Sequence, residues 1–152
     1  MEFVVALGAE GFRVPEARAM DLVFGYAAGL DMTRRDLQGV AKDKRRPWDT
    51  GKDFENAAVL GPLTRAADFG LPGPQAITLT LNGEPVQRSH LSEMVWSVPE
   101  IIAHLSTLYH LAPGDLIYTG TPAGVGPVTP GDRLHGEIDG LAAVDLTIAA
   151  AE

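Results

Sequence analysis

Two acidic residues beside apolar runs are the first candidates for chemistry in this sequence. Glu2 stands directly before the apolar run of residues 3–7, and Asp31 closes the strand-like run of residues 24–30. A carboxylate at the mouth of a buried strand is costly without a compensating charge or hydrogen bond. Oxygen-only ligation favours hard ions such as Mg²⁺ or Mn²⁺ over zinc. The pair indicates a divalent-metal site, but a capping aspartate and an exposed terminal glutamate would give the same pattern.

A lysine in a polar stretch is the next candidate. Lys52 lies between Gly51 and Asp53, in a loop predicted after Trp48. A partly buried ammonium group there would act as an electrophile, whereas most lysines are exposed to solvent. The sequence leaves both interpretations open.

Residues 120–126 form a glycine-rich segment, Gly-Thr-Pro-Ala-Gly-Val-Gly. The segment lacks the Lys-Ser/Thr ending of a phosphate loop, which argues against nucleotide binding. Glycine lets the backbone approach a ligand closely, and Thr121 adds a hydroxyl beside N–H groups that could hold a carboxylate. The pattern therefore indicates either an anion site at Gly120 and Thr121 or a plain turn between strands.

Several common catalytic signatures are missing from the sequence. It contains no cysteine, which excludes a thiolate nucleophile, a disulfide framework and a Cys-type zinc site. Neither Gly-x-Ser-x-Gly nor His-Glu-x-x-His occurs. Four histidines are isolated or wrongly spaced for shared ligation, and we expect them to be surface or core residues. They are His90, His104, His110 and His135.

Composition is that of an ordinary globular protein, with 45% hydrophobic and 21% charged residues. A formal net charge of -8 argues against binding to a phosphate backbone. The longest apolar runs are far shorter than the ~20 residues that span a bilayer. We therefore predict one soluble domain over residues 1–152 that binds neither nucleic acid nor membrane. The absence of cysteine fits a reducing, cytoplasmic location, and the abrupt start in an apolar run predicts a fragment.

Apolar patterning predicts the elements of the first half of the chain. Residues 3–7 and 24–30 are expected to be strands, separated by a short helix that begins at Pro15. The buried side of that helix would comprise Ala17, Met20, Leu22 and Val23.

A second helix is predicted over residues 34–44, with Thr33 as its cap and its arginines and lysines in solvent. The stretch from 48 to 73 is rich in Gly, Pro and Asp, and only residues 57–60 are predicted to form a strand there.

The second half is predicted to be mostly β structure. Asn82-Gly83 between two alternating runs, residues 75–81 and 84–88, is a strong hairpin signal. Ser97 and Glu100 form a capping box before a helical stripe, which consists of Ile101, Ile102, Leu105 and Leu108. Three further strands are expected, at residues 115–120, 133–139 and 142–149. The pattern favours an α+β or mainly β domain rather than a regular βαβ array.

Read together, five stretches of the chain resemble the C-terminal catalytic domain of the fumarylacetoacetate hydrolase family. The two most specific are residues 25–38, which contain Gly-Leu-Asp-Met-Thr-Arg-Arg-Asp-Leu-Gln, and residues 113–126, Pro-Gly-Asp-Leu-Ile-Tyr-Thr-Gly-Thr-Pro-Ala-Gly-Val-Gly. The other three are residues 2–8, 47–54 and 81–84. Within that family, the first motif is most similar to acylpyruvate and fumarylpyruvate hydrolases.

The resemblance implies a β-roll-like fold with short flanking helices, a homodimer, and Mg²⁺ or Mn²⁺ held by a Glu-x-Glu pair and an aspartate. Glu2 matches the second glutamate and Asp31 the aspartate, whereas the first glutamate would fall before Met1. The family's water-activating His-Glu pair would also lie upstream. The resemblance therefore implies that this chain is part of a longer enzyme and is inactive alone.

The resemblance further implies hydrolysis of a C–C bond in 2,4-diketo acids of aromatic-ring catabolism. Lys52 would be catalytic, and four residues would bind substrate, namely Arg35, Gln38, Gly120 and Thr121. Two alternatives remain open: oxaloacetate decarboxylation, which needs no attacking water, and a catalytically incomplete metal-binding fragment or assembly subunit.

Overall fold

The first two strands form an antiparallel pair at the centre of the molecule. The β-branched and apolar run of β1 (Glu2–Leu7) is buried throughout, and it pairs with β2 (Val23–Asp31) along its whole length. A fully buried apolar strand must be covered on both faces. The computed structural model, which describes residues 1–150, shows that further strands and helices provide this cover.

Two sheets make up the architecture. The strand order of the first sheet is β3-β2-β1-β7, with β4 also paired to β2, and that of the second is β6-β5-β8-β9. The remaining strands are β3 (Ala58–Leu60), β4 (Thr64–Arg65), β5 (Ala76–Leu81), β6 (Glu84–His90), β7 (Leu116–Tyr118), β8 (Arg133–Ile138) and β9 (Val144–Thr147).

The main core lies between the two sheets. Alternate residues of β1, such as Phe3 and Val5, join Leu79 and Ile138 of the second sheet in one buried cluster. The Phe3 and Tyr26 rings stack with their centroids 4.9 Å apart. Since strand side chains alternate between faces, the other residues of β1 project from the opposite face of the first sheet.

Five short α-helices flank the sheets. They are α1 (Glu16–Ala19), α2 (Arg35–Asp43), α3 (Asp49–Lys52), α4 (Ala66–Phe69) and α5 (Val98–Leu108). In α5 the Ser97 side chain accepts a hydrogen bond from the Glu100 N–H, so the predicted capping box is confirmed. The helix buries Val98 and Ile102 in the core.

The hairpin prediction is also confirmed. β5 and β6 pair on either side of Asn82 and Gly83, whose φ angles are 53° and 88°. Positive φ at both central residues is what an Asn-Gly turn of the I′ type requires.

Several local predictions are wrong. Ala17 and Leu108 are exposed rather than buried. The first α-helix is shorter than expected: it ends at Ala19, and residues 20–22 form a 3₁₀ turn. Thr33 does not cap α2, since Arg34 occupies the N-cap position without a side-chain cap. Finally, Lys52 ends a short helix instead of lying in a loop.

Within residues 1–150, no helix is long and apolar enough to cross a bilayer.

Candidate active site

The register of β1 and β2 places the two candidate acids on one face of the first sheet. Glu2 lies opposite Gly29, and Asp31 is two residues beyond Gly29 on the same strand. Residues two apart on a strand share a face, and diagonal neighbours lie about 7–8 Å apart. Glu2 and Asp31 therefore project side by side, away from the core between the sheets.

Glu2 is a buried carboxylate, with only 5% of its surface exposed. Its Oε2 accepts a hydrogen bond of 2.8 Å from the Gly120 N–H. Burial raises the pKa of Glu2; the Gly120 bond opposes this rise, and the negative charge of Asp31 adds to it. Burial thus penalises the charged form of Glu2, and a cation between the two acids would compensate that penalty.

Asp31 is paired with the predicted catalytic lysine. Lys52 Nζ forms a salt bridge with Asp31 Oδ2 and donates a 3.1 Å hydrogen bond to Thr33 Oγ1. The two charged side chains are about one-third exposed, so solvent reaches them. The Thr33 hydroxyl, predicted as a helix cap, instead helps to hold the lysine beside Asp31.

The glycine-rich segment borders the acids through its first residues. Gly120, with φ 105°, directs its N–H at Glu2. Thr121 Oγ1 donates to Met1 O at 2.8 Å and accepts a 2.9 Å bond from Gln87 Nε2. Gln87 also donates to Pro122 O and is almost fully buried. It therefore anchors the segment, a role that no sequence motif indicated.

Tyr118 is a second residue that sequence reasoning missed. It pairs with Val4 across β1 and β7, and its hydroxyl donates a 3.0 Å bond to Val59 O. Its ring passes over Gly29, where a Cβ would lie 2.9 Å from Tyr118 Cε1 and 2.5 Å from Val4 Cγ2. Burial raises the pKa of Tyr118, and the charges of Asp31 and Glu2 add to the rise. Tyr118 therefore forms a wall close to both acids.

The contact at Gly29 leads to a stability prediction. We expect Gly29→Ala to lower the free energy of unfolding by about 1–3 kcal/mol, because its methyl group would overpack against Val4 and Tyr118. Urea unfolding followed by circular dichroism measures the change. Gly39→Ala is the matched control, since no atom lies within 4 Å of its added Cβ; it should be stabilising by about 0.5–1 kcal/mol as an alanine within a helix. Equal stabilities for the two variants would contradict the close contact.

The first turn of α2 carries the two remaining predicted substrate-binding side chains. Arg35 Nη1 donates a 2.9 Å hydrogen bond to Gln38 Oε1, which confirms that they share one side of the helix. Helix α2 packs on α3 at Gly51, where an added Cβ would lie 3.1 Å from Gln38 Cβ. The residue after Gly51 is Lys52, so this contact joins the arginine-glutamine pair to the lysine.

A cavity of about 390 Å³ lies at this end of the molecule. Asp31, Thr33, Arg35, Gln87 and Gly124 are among the residues that line it. Its walls thus bring together the end of β2, the start of α2 and the glycine-rich segment. A small organic acid has a volume compatible with such a cavity.

The acids fit a divalent cation of the hard class. Glu2 accepts only the Gly120 hydrogen bond within residues 1–150, and Asp31 stands beside it. In the described part of the chain, no three or more His, Cys, Asp or Glu residues lie close enough together to hold a metal ion by themselves. Mg²⁺ is commonly held by one or two carboxylates, with water and substrate oxygens completing its coordination. Two carboxylates on one sheet face therefore suffice for this kind of site.

Three of the histidines lie apart from the candidate site, whereas His90 lines a separate cavity of about 360 Å³ together with Gly120 and Thr121. His110 stacks on Phe12 and His104 meets Trp96 edge-on, both at the surface. His135 Nδ1 lies 2.7 Å from Asp145 Oδ1 on the second sheet. None of the four histidines lines the cavity that contains Asp31 in the part of the chain described.

A carboxylate pair of this kind is common in enzymes that bind a divalent cation such as Mg²⁺. This chain belongs to the fumarylacetoacetate (FAA) hydrolase C-terminal family, whose model matches residues 1–149. The resemblance proposed from the motifs is confirmed, and so is the mainly β, α+β fold.

Characterised relatives support a hydrolase class. Fumarylpyruvate hydrolase from Ralstonia is 55% identical over 153 residues, which cover 100% of this chain and 79% of the relative. The mitochondrial oxaloacetate tautomerase of Mus musculus is 40% identical, and the match covers 100% of this chain and 69% of that protein. The prediction of a C–C bond hydrolase agrees with the name of the first relative.

Solved structures of relatives have the same fold. A fumarylpyruvate hydrolase from Pseudomonas aeruginosa, in complex with Mn²⁺ and pyruvate, superposes with a TM-score of 0.96 at 45% identity. That match covers 99% of this chain and 64% of the other. Maleylpyruvate hydrolase from Sphingobium gives a TM-score of 0.85 at 31% identity, covering 97% of this chain and 52% of that one. The chain thus spans roughly half to four-fifths of the length of these relatives.

Proposed function

We propose that this chain carries the active site of a metal-dependent hydrolase that cleaves a C–C bond in 2,4-diketo acids. The substrate would be an acylpyruvate such as fumarylpyruvate, and the products pyruvate and an acid such as fumarate. The observation that carries the proposal is the cluster of Glu2, Asp31 and Lys52 beside the Gly120 N–H. The relatives named as fumarylpyruvate hydrolases support it.

Glu2 and Asp31 would hold Mg²⁺ or Mn²⁺ as carboxylate ligands. When bound, such an ion supplies Lewis-acid polarisation of a keto oxygen. Arg35 would pair with a substrate carboxylate or keto oxygen, because a guanidinium group binds such oxygens through several N–H donors. Gln38 would donate a further hydrogen bond. Thr121, beside Gly120, would bind the pyruvyl carboxylate through its backbone N–H, because the Gly120 N–H and the Thr121 hydroxyl already donate to Glu2 and to Met1 O.

Lys52 would act where charge develops. Water loses a proton to solvent as it adds to the acyl carbonyl carbon, and the carbonyl oxygen becomes an oxyanion that the Lys52 ammonium stabilises. The oxyanion re-forms the carbonyl of the released acid as the C–C bond breaks. The electron pair of that bond forms the enolate of pyruvate, whose carbon takes up a proton. In this scheme Asp31 and Thr33 hold the ammonium group in position.

Metal removal tests the proposed reaction. We expect the protein to consume fumarylpyruvate and acetylpyruvate in the presence of Mn²⁺ or Mg²⁺. Chelation with EDTA should lower the rate at least about 100-fold, because the ion stabilises developing charge. Restoring the metal should restore the rate. Loss of the enol absorbance of the substrate measures the rate. Activity that survives thorough chelation would refute the metal role.

Oxaloacetate chemistry is the second candidate, because the chain is 40% identical to an oxaloacetate tautomerase. Tautomerisation or decarboxylation of oxaloacetate would use the same carboxylate pair without attack by water. Decarboxylation would pass through the enolate of pyruvate, and tautomerisation through the enolate of oxaloacetate itself. Rates on oxaloacetate and on fumarylpyruvate, measured with one preparation, distinguish the two candidates.

The remaining parts of the proposal concern the assembly. We propose a cytoplasmic homodimer, with a diketo acid as its small-molecule partner and a role in aromatic catabolism. Sedimentation measures the dimer directly. A protein that binds Mn²⁺ but turns over neither substrate class would instead be a metal-binding or assembly subunit.

A further inference from the structure

Two adjacent arginines stand at the start of helix α2, and the proposed reaction uses only Arg35. Arg34 and Arg35 both line the cavity of about 390 Å³ that also contains Asp31. Arg34 is the N-cap residue of α2 and is exposed to solvent. Its guanidinium group is therefore available to a ligand in that cavity.

Arg34 is held in place at both its backbone and its side chain. Its N–H donates a 3.0 Å hydrogen bond to Gly51 O. Its guanidinium carbon lies 4.3 Å from the centroid of the Phe54 ring, a cation–π contact. Stacking on an aromatic face leaves the edge of the guanidinium plane, with its N–H donors, free to bind a carboxylate.

The charges around the cavity leave Arg34 without an anionic partner. Lys52 is paired with Asp31, and Arg35 donates to Gln38. Among residues 1–150, no carboxylate forms a salt bridge with Arg34. A surface arginine without a partner is ordinary, but one that is stacked on an aromatic ring and lines the same cavity as Asp31 resembles a recognition group.

We propose that Arg34 determines substrate specificity by binding a second carboxylate, located on the acyl group of the diketo acid. This inference rests on the proposed function, because it assigns the acyl end of the same substrate. Arg35 and Thr121 serve the pyruvyl end, which every 2,4-diketo acid shares. Arg34 then distinguishes an acyl group with one negative charge, such as fumaryl, from an uncharged one such as acetyl.

The rest of the cavity wall suits the middle of such an acyl group. Leu79, Val86 and Leu134 are apolar and line the same cavity. A fumaryl group has an unsaturated, apolar centre and a charged end. Its carbon atoms would therefore lie against these apolar side chains, and its carboxylate would lie beside the Arg34 guanidinium group. An uncharged acyl group would use the apolar wall alone.

Substrate discrimination by Arg34→Met tests the proposal. The variant keeps the length of the side chain without its charge. We expect kcat/KM for fumarylpyruvate to fall about 10–100-fold, mainly through KM, as for loss of one hydrogen-bonded charge pair. The ratio of kcat/KM for fumarylpyruvate to that for acetylpyruvate should fall by a similar factor. Arg34→Lys should recover part of the ratio, because it restores charge but not the planar group.

Lys42→Met is the matched control, since it removes one positive charge from the last turn of the same helix, away from the cavity. It should leave the ratio unchanged. Equal losses on both substrates in Arg34→Met would show a structural role through Phe54 and overturn the proposal, as would no loss on either.

Binding of the product provides a readout that does not depend on turnover. In calorimetry with Mn²⁺ present, fumarate should bind at least about 10-fold more tightly than crotonate, which has a methyl group in place of one carboxylate. Arg34→Met should abolish this preference. A wild-type protein that cleaves neither diketo acid would refute the proposed function, while the fumarate preference would still decide the role of Arg34. Equal binding of the two acids to the wild type would overturn that role.

Discussion

Replacement of Asp31 by asparagine is expected to weaken Mn²⁺ binding by about 100-fold or more. Loss of a residue that only contacts a metal ligand weakens binding by about 10–100-fold, and loss of a direct ligand should cost more. Asparagine has almost the same shape, so the fold should persist while a negative charge is lost from the pair with Glu2. The Lys52 ammonium would lose its salt-bridge partner and would repel a cation more strongly. Isothermal titration with MnCl₂ measures the affinity.

Asp36→Asn is the control for Asp31→Asn. Asp36 lines the same cavity and is exposed, so its removal changes the net charge equally without touching the proposed ligands. Its effect on Mn²⁺ affinity should stay within about threefold, because exposed charges are well screened. Similar titrations of both variants would remove Asp31 from the metal site.

The strands that carry the two acids could be predicted because each is a local pattern. The run before Gly8 is apolar and contains two valines, and the run that ends at Asp31 is apolar, so each can be recognised as a strand without any partner. Their pairing is a long-range property. That Glu2 lies opposite Gly29 follows from the register of two strands separated by a helix, and nothing within either segment fixes that register.

Gln87 and Tyr118 were missed for a related reason. Both have residue types that occur in ordinary strands, and neither stands in a catalytic motif. Their roles arise from what they meet across the fold: Gln87 reaches Thr121 and Pro122, and Tyr118 crosses Gly29 to reach Val59 O. Such contacts join residues more than 30 positions apart, so a single sequence gives no signal for them.

The errors around α2 show competition between local and tertiary hydrogen bonds. Thr33 has the right chemistry to cap a helix, and a local prediction selects it. In the folded protein its hydroxyl accepts from Lys52 instead, because the salt bridge of Lys52 with Asp31 brings the ammonium group within reach. The local rule therefore fails at the point where the candidate site is assembled.

The largest expected effect on catalysis comes from Lys52→Met. We expect kcat for fumarylpyruvate to fall by about 10²–10³-fold, as for loss of one group that stabilises an oxyanion. Methionine fills much of the same space, but it provides neither the charge nor the donor. Single-turnover kinetics at saturating substrate measure the loss in the chemical step.

Metal affinity separates this role from a structural one. Lys52 forms a salt bridge with Asp31, so its removal takes away a cation that competes for this carboxylate and should leave Mn²⁺ binding equal or tighter. Lys44 is an exposed lysine directly after α2. As the control, Lys44→Met should change neither kcat nor metal affinity. If Lys52→Met lost metal binding and activity together, the lysine would support the carboxylate pair rather than the oxyanion; an unchanged kcat would exclude it from the reaction.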